Sequence, residues 1–170
     1  MSLLRTVRRK AYTAALLTFR KLPRPLRRSL VRAGTPSYTV GAVCVVEHDG
    51  HMLMLRQPHR HGWSLPGGLL GWGESPAAGV TREVCEETSL EIEVGEPVAT
   101  QIHPGARRVD VIYRVVLDRR PEVRVGGEAK AFRWMRRDDV PEMDDATQEI
   151  MDVLDRVLGS ETAPKAHVAG

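Results

Sequence analysis

Cysteine is scarce in this chain. Only Cys44 and Cys85 occur in 170 residues, far apart in sequence and without metal-type spacing. A disulfide framework and a cysteine-based zinc site are both excluded, and two reduced, buried thiols of a cytosolic protein are expected. The N-terminal arm lacks a long apolar run: Ala14-Ala15-Leu16-Leu17 is too short to span a membrane. That run leads into Arg20-Lys21 and Pro23-Arg24-Pro25 with no small-residue cleavage site, which argues against a secretory signal. A transit peptide shares the Arg-rich, acid-free composition and stays open. No internal repeat is present, so a solenoid is excluded.

Acidic residues are absent from residues 1–32, which hold ten Lys or Arg (Arg5, Arg8, Arg9, Lys10, Arg20, Lys21, Arg24, Arg27, Arg28 and Arg32). The rest of the chain carries 15 basic against 22 acidic residues, a net of −7 within an overall +3. A basic arm is joined to an acidic domain, and the positive total says little about the domain's substrate. The arm permits three readings: packing on the domain or on a second subunit of a homodimer, lying on an anionic membrane surface, or touching nucleic acid. Packing or surface association is favoured, and no specific nucleic-acid partner is expected.

Along the chain, Leu3, Val7, Ala11, Ala14 and Leu17 recur at helical spacing, which predicts a basic helix over residues 3–20 broken by Pro23 and Pro25. A second short helix is expected over Leu26–Val31. Gly34-Thr35-Pro36-Ser37 marks the start of the main domain. The Val-rich segment from Tyr38 to Glu47 reads as a buried strand, Asp49-Gly50 as a hairpin turn and Met52–Arg56 as the return strand. Trp63 to Gly68 reads as a short extended piece ending in a loop. Ser75-Pro76 opens a helix to about Thr88, with Ser as N-cap and Pro in the first turn. Glu91–Ile102, Val109–Leu117 and Ala131–Met135 read as strands, Arg119–Gly127 as a polar connection and Ala146–Leu158 as a closing helix. The expected organisation is an extension over 1–36, a mixed sheet with packed helices over 37–158, and a loose tail over 159–170.

The chemistry is concentrated between Gly67 and Leu90. Glu83, Glu86 and Glu87 stand at i, i+3 and i+4 of the expected helix, on one face. Such a face is either simply solvated or shares a divalent cation, and hard oxygen ligands suit Mg2+, with Mn2+ as a substitute. Gly67, Gly68, Gly71 and Gly73 allow a loop whose backbone approaches a metal or phosphate closely. Carboxylates, a metal and an open loop suit attack of water on a phosphate.

The full stretch resembles the Nudix box. Gly68 opens it, Glu74 follows after five residues and Arg82-Glu83 after seven more. Val84 fills the aliphatic position, Glu86-Glu87 the paired glutamates and Leu90 the final aliphatic position. The motif spans 23 residues with every charged position filled. Ser89 stands where the family has glycine. If that glycine is a left-handed helix cap, a serine on the same backbone costs about 1 kcal/mol.

The resemblance implies a Nudix-type α/β/α sandwich around a mixed β-sheet, over about Tyr38–Leu158, with the basic helical arm as an extension. It implies Glu83, Glu86 and Glu87 as Mg2+ ligands, joined by the Gly67 carbonyl oxygen, and Arg82 as the partner of Glu74 that orients the carboxylates. The family often supplies a further glutamate from a later loop. Glu128 is the candidate, with a solvated loop carboxylate as the other reading. The general base stays open between Glu83, Glu86 and Glu128.

Outside the box, Arg56 and Arg60 are candidates to bind a substrate phosphate. His59 and His61 read as surface residues. Trp63 reads as packing, and Trp72 is a candidate to stack on a base. Pro104, 14 residues past Leu90, lies near where ADP-ribose hydrolases of the family carry a proline. The implied activity is Mg2+-dependent hydrolysis of a diphosphate bond in a nucleoside diphosphate linked to a group X. ADP-ribose, a nucleotide sugar or an oxidised nucleoside triphosphate are examples, acted on in the cytoplasm. The alternative is a non-catalytic Nudix-like nucleotide-sugar sensor. A prenyl diphosphate isomerase is disfavoured, because Cys44 lies in a buried-looking strand.

Overall fold

Strand β1 (Thr39–His48) is buried on both faces through its middle, which explains its near-continuous apolar sequence. Its side chains alternate between two cores. Val43 and Val45 point into one core, which holds Ile150, Met151, Val153 and Leu154 from the closing helix. Ala42, Cys44 and Val46 point into the other, against Val80 and Val84 of the central helix. A computed structural model describes residues 17–160, and the chain divides into two units, residues 1–37 and 38–170.

In the second unit, β1 turns at Asp49-Gly50 into β2 (His51–Arg56). Both turn residues have positive φ (47° and 69°), the conformation that two-residue hairpins require. The short strands β3 (Trp63–Ser64) and β4 (Gly67–Leu69) pair with β2 and β1 respectively. Helix α2 (Pro76–Thr88) crosses one face, preceded in the chain by α1 (Arg24–Gly34) of the first unit. Then come β5 (Ala99–His103), β6 (Arg108–Val116), β7 (Ala131–Met135), a 3-10 turn at Arg137–Asp139 and helix α3 (Asp145–Ser160). The sheet runs β3-β2-β1-β6-β5, with β6 parallel to β1 and the other pairings antiparallel. This is the expected mixed sheet between helices, an α/β/α sandwich.

Helix α2 has the expected bounds. Ser75 caps it by accepting from the Ala78 amide (3.2 Å), and Pro76 occupies the first turn. Ser89 ends it in the left-handed region (φ 59°, ψ 20°), a conformation that favours glycine. The Ser89 hydroxyl donates to the Arg124 carbonyl (3.1 Å), which offsets part of the backbone strain. Ser89→Ala therefore lowers stability by about 1 kcal/mol in chemical denaturation, whereas Ser89→Gly is near neutral because it relieves strain as it loses the bond. Equal losses in both variants would refute this balance.

Three expectations are corrected. Glu91–Ile102 is not one strand: Gly95 and Pro97 interrupt it, and only Ala99–His103 joins the sheet. Ile92 is nonetheless buried and Val94 packs on the α2-side core, so apolar spacing reports burial there without a ladder. Cys85 is exposed, because it lies off the buried Val80–Val84–Thr88 stripe of α2. Cys44 is buried as expected, and burial pushes its thiol up to about 12. Helix α1 is longer than Leu26–Val31, since Pro25 fits in a first turn where no amide partner is needed. Of the helix expected over residues 3–20, Leu17–Arg20 is helical and residues 3–16 lie outside the described residues. Most of the expected tail also lies outside them. Among the described residues no helix is long and apolar enough to cross a membrane.

Candidate active site

Helix α2 and strand β4 form one wall of a cleft of about 840 Å3. Gly67, Gly68, Glu83, Glu86, Glu87 and Glu128 all line it, so four of the box positions, the glycine before them and the later loop glutamate are brought together. The glycines make the close approach sterically feasible. A Cβ on Gly68 would lie 2.5 Å from the Glu83 carboxylate carbon. Gly67 has φ +142°, and a Cβ there would enter the β1 backbone at Ala42 and Val43.

Glu87 is the innermost carboxylate, 5% exposed. It accepts from the Gly67 amide (3.0 Å) and from the Gln57 side chain. Burial pushes its carboxyl up to about 7, and the neighbouring charges of Glu83 and Glu128 act in the same direction. Arg82 lies behind the cleft wall and is not one of its lining residues. Its guanidinium donates to Glu74 (2.9 and 3.0 Å), Glu83 (2.8 Å), Glu86 (3.3 Å) and the Leu69 carbonyl (3.3 Å). Arg82 thus ties the glycine loop to the glutamate face as a positioning residue. The Arg82 hydrogen bonds, with the Gly71 amide, hold the Glu74 carboxyl down at about 2.

Glu128 reaches the cleft because its loop docks on the end of α2. The Arg124 amide bonds the Thr88 carbonyl (3.0 Å), and the Gly126 amide bonds the Glu87 carbonyl (3.0 Å). A Cβ on Gly126 would lie 2.6 Å from the Glu86 carbonyl oxygen. Glu128 pairs with His59 across the cleft mouth (3.3 Å).

Arg60 lines the cleft and is already held by Asp144 (2.9 Å). Arg56 is not among the lining residues, and its nearest acidic partner is Glu142 at 3.9 Å. Trp63 is buried, with Arg133 over its ring. Trp72 is 99% exposed on the loop after β4. Pro104 starts the β5–β6 turn and is not a lining residue, although Ala106 is. Sequence reasoning missed Gln57, Asp144 and Arg108 in the cleft. Asp144 was legible as a helix cap, since it accepts from the Thr147 amide (2.6 Å) in the first turn of α3. Gln57 and Arg108 carry no local sequence signal, because only the sheet register brings them to the cleft.

The donor set fits a hard divalent cation. Four glutamates and a backbone carbonyl offer hard oxygen donors, and the repulsion among the carboxylates is only partly offset by Arg82. Among the described residues no three acidic, His or Cys side chains converge on one point as they stand. Glu83 and Glu86 lean towards Arg82 while Glu87 faces Gly67 and Gln57, so convergence needs side-chain rotation on a fixed backbone.

An α/β/α sandwich with a glutamate-bearing helix at its cleft is an enzyme-like scaffold. Residues 35–156 match the NUDIX domain model, and the chain belongs to the Nudix family. It is 36% identical over 98 residues to a MutT-like protein of Streptomyces ambofaciens, covering 58% of this chain and 63% of that protein. It is 32% identical over 112 residues to a CMP-5'-(N-acetyl-N-hydroxy-3-aminopropyl)phosphonate hydrolase of Streptomyces rubellomurinus, covering 60% and 53%. The match thus spans less than two thirds of either relative. The MutT Nudix hydrolase of Burkholderia pseudomallei shares the fold, with TM-score 0.60 and 25% identity over 68% of this chain and 97% of that one.

Proposed function

We propose that this chain is a Mg2+-dependent hydrolase, with Mn2+ as a substitute, that cleaves the diphosphate bond of a nucleoside diphosphate linked to a group X. ADP-ribose, nucleotide sugars and oxidised nucleoside triphosphates are the substrate classes in view. The observation that carries this reading is the gathering of Glu83, Glu86, Glu87 and Glu128 at one cleft beside the Gly67–Gly68 backbone. A relative named as a hydrolase of a CMP-linked phosphonate supports a nucleotide joined to X.

In this reading Glu83, Glu86, Glu87 and the Gly67 carbonyl oxygen hold the cation. When bound, it neutralises phosphate oxygens and acidifies water. Arg82 keeps Glu83 and Glu86 on their common face. Glu128 is the general base: its only ion-pair partner among the described residues is His59, and it is free of the Arg82 network.

The test is a phosphatase-coupled phosphate-release screen with ADP-ribose, NADH, nucleotide sugars, dinucleoside polyphosphates and oxidised nucleoside triphosphates. At least one compound turns over with Mg2+ and none turns over in excess chelator. Binding of a nucleotide sugar with no turnover across the panel would instead establish the sensor reading.

A further inference from the structure

Arg108 lines the cleft although nothing in the box points to it. It starts β6 opposite Thr39, two residues along β1 from Gly41, which pairs with Leu69. Its side chain turns back to Asp110 on the same face of β6. Arg108 donates through Nε to Asp110 Oδ2 (2.9 Å), and its Nη2 lies 2.7 Å from the same oxygen. The guanidinium is thus fixed at about the level of Gly41 and Leu69, roughly 7 Å along the sheet from Gly67. That is about one sugar or base beyond a diphosphate seated at the glutamates.

The support behind Arg108 is buried and costly. The Asp110 side chain is 3% exposed and fits only because Gly41 has no Cβ, which would lie 2.5 Å from Asp110 Oδ1. His103, 10% exposed, places Nε2 3.0 Å from the same Asp110 oxygen and Nδ1 2.7 Å from Glu149 of α3. Buried ion pairs seldom add net stability, and their better-attested use is to fix geometry. Here the fixed group is a guanidinium whose charge is already balanced by Asp110. Beyond the Asp110 contact, its Nη1 and Nη2 have no hydrogen-bond partner among the described residues. This leaves a fork of two parallel N–H groups on a residue that lines a cleft whose other charged walls are mostly acidic.

We propose that Arg108 is a specificity-determining residue that presents this two-donor fork to a pair of adjacent acceptor atoms on the substrate, beyond the scissile diphosphate, with Asp110 as its positioning residue. A guanine edge (O6 and N7) and a carboxylate on X offer the same acceptor pair. The inference rests on the proposed diphosphate-binding cleft, and its test reads binding without turnover.

Calorimetry on the full chain, with Ca2+ replacing Mg2+ so that ligands survive, compares GDP with ADP and UDP-glucuronate with UDP-glucose. Wild type binds the two-acceptor member of one pair at least tenfold tighter, and the pair that discriminates identifies the source of the acceptors. Arg108→Leu and Arg108→Lys both reduce that ratio to within twofold, because a lysine keeps the charge and loses the fork. Asp110→Asn lowers the ratio partway, with thermal melts recording that each variant is folded. No discrimination by wild type in either pair, or a ratio that survives in Arg108→Lys, overturns the proposal. Failure of the phosphate-release screen alongside an Arg108-dependent ratio removes the hydrolysis reading and leaves this one standing.

Discussion

Glu87→Gln lowers kcat/KM by about a thousandfold, and the same substitution makes the metal-free protein more stable at pH 8. The two effects have one cause. Glu87 is 5% exposed, and burial pushes its carboxyl up to about 7. Above that pH the metal-free protein keeps a buried carboxylate beside Glu83 and Glu128. Because the folded pKa lies above the unfolded value of about 4.5, the folded state binds more protons between the two values. The stability contributed by protonated Glu87 is complete below about pH 4.5 and lost as pH rises through about 7. The whole effect is about 3 kcal/mol, as an order of magnitude. Glutamine cannot ionise, so it removes this loss while still accepting from the Gly67 amide.

The proposed cation would place a positive charge next to the innermost carboxylate, adding to the charge of Arg60. Losing that ligand removes several kcal/mol of transition-state stabilisation, and about 4 kcal/mol is the thousandfold named above. Cation binding also competes with the Glu87 proton. Mg2+ affinity therefore rises up to tenfold per pH unit below about 7 and levels off above it. Titration calorimetry from pH 5.5 to 8.5 reads the affinity, and chelator-treated thermal melts at pH 8 read the stability. A Glu87→Gln variant that retains wild-type turnover, or that melts below wild type without metal, contradicts this account.

The sequence carried those features that depend on local chemistry. The α2 bounds followed from Ser75, Pro76 and the apolar stripe, and the β1–β2 turn from Asp49-Gly50. The clustering of Glu83, Glu86 and Glu87 followed from helical spacing. Features that depend on register were hidden. Gln57 meets Glu87 only because β2, β3 and β4 bring residues 30 apart together. Arg108 reaches the cleft because β6 pairs in parallel with β1, a long-range contact with no local signal. Arg56 is the opposite case. Its position beside the box in sequence suggested a phosphate contact, but its strand pairs with β3 and β7 and leaves it outside the lining residues.

Gly67→Ala is the second substitution with a large expected effect, because this glycine does three things at once. Its φ of +142° is a conformation that an alanine adopts only under strain, worth about 1–3 kcal/mol. Its missing Cβ leaves room for the β1 backbone, and a Cβ would lie 2.7 Å from Val43 Cα. Its amide donates to Glu87 at 3.0 Å, so any shift of β4 moves the donor that fixes the innermost carboxylate. Backbone cannot yield as a flexible side chain does. The variant should lose at least about 3 kcal/mol, or roughly 10 °C in Tm, and at least a hundredfold in kcat/KM. Two neighbouring glycines separate the causes. Gly73 has φ +75° but nothing within 4 Å of an added Cβ, so Gly73→Ala costs about 1 kcal/mol of strain and leaves turnover close to wild type. Gly68→Ala meets the Glu83 carboxylate, the far end of a side chain that can swing aside. It therefore loses activity while Tm falls by only a few degrees. Melting curves and steady-state kinetics on the three variants should give that order. A Gly67→Ala protein as stable and active as Gly73→Ala would mean that β4 does not hold Glu87 by its backbone amide.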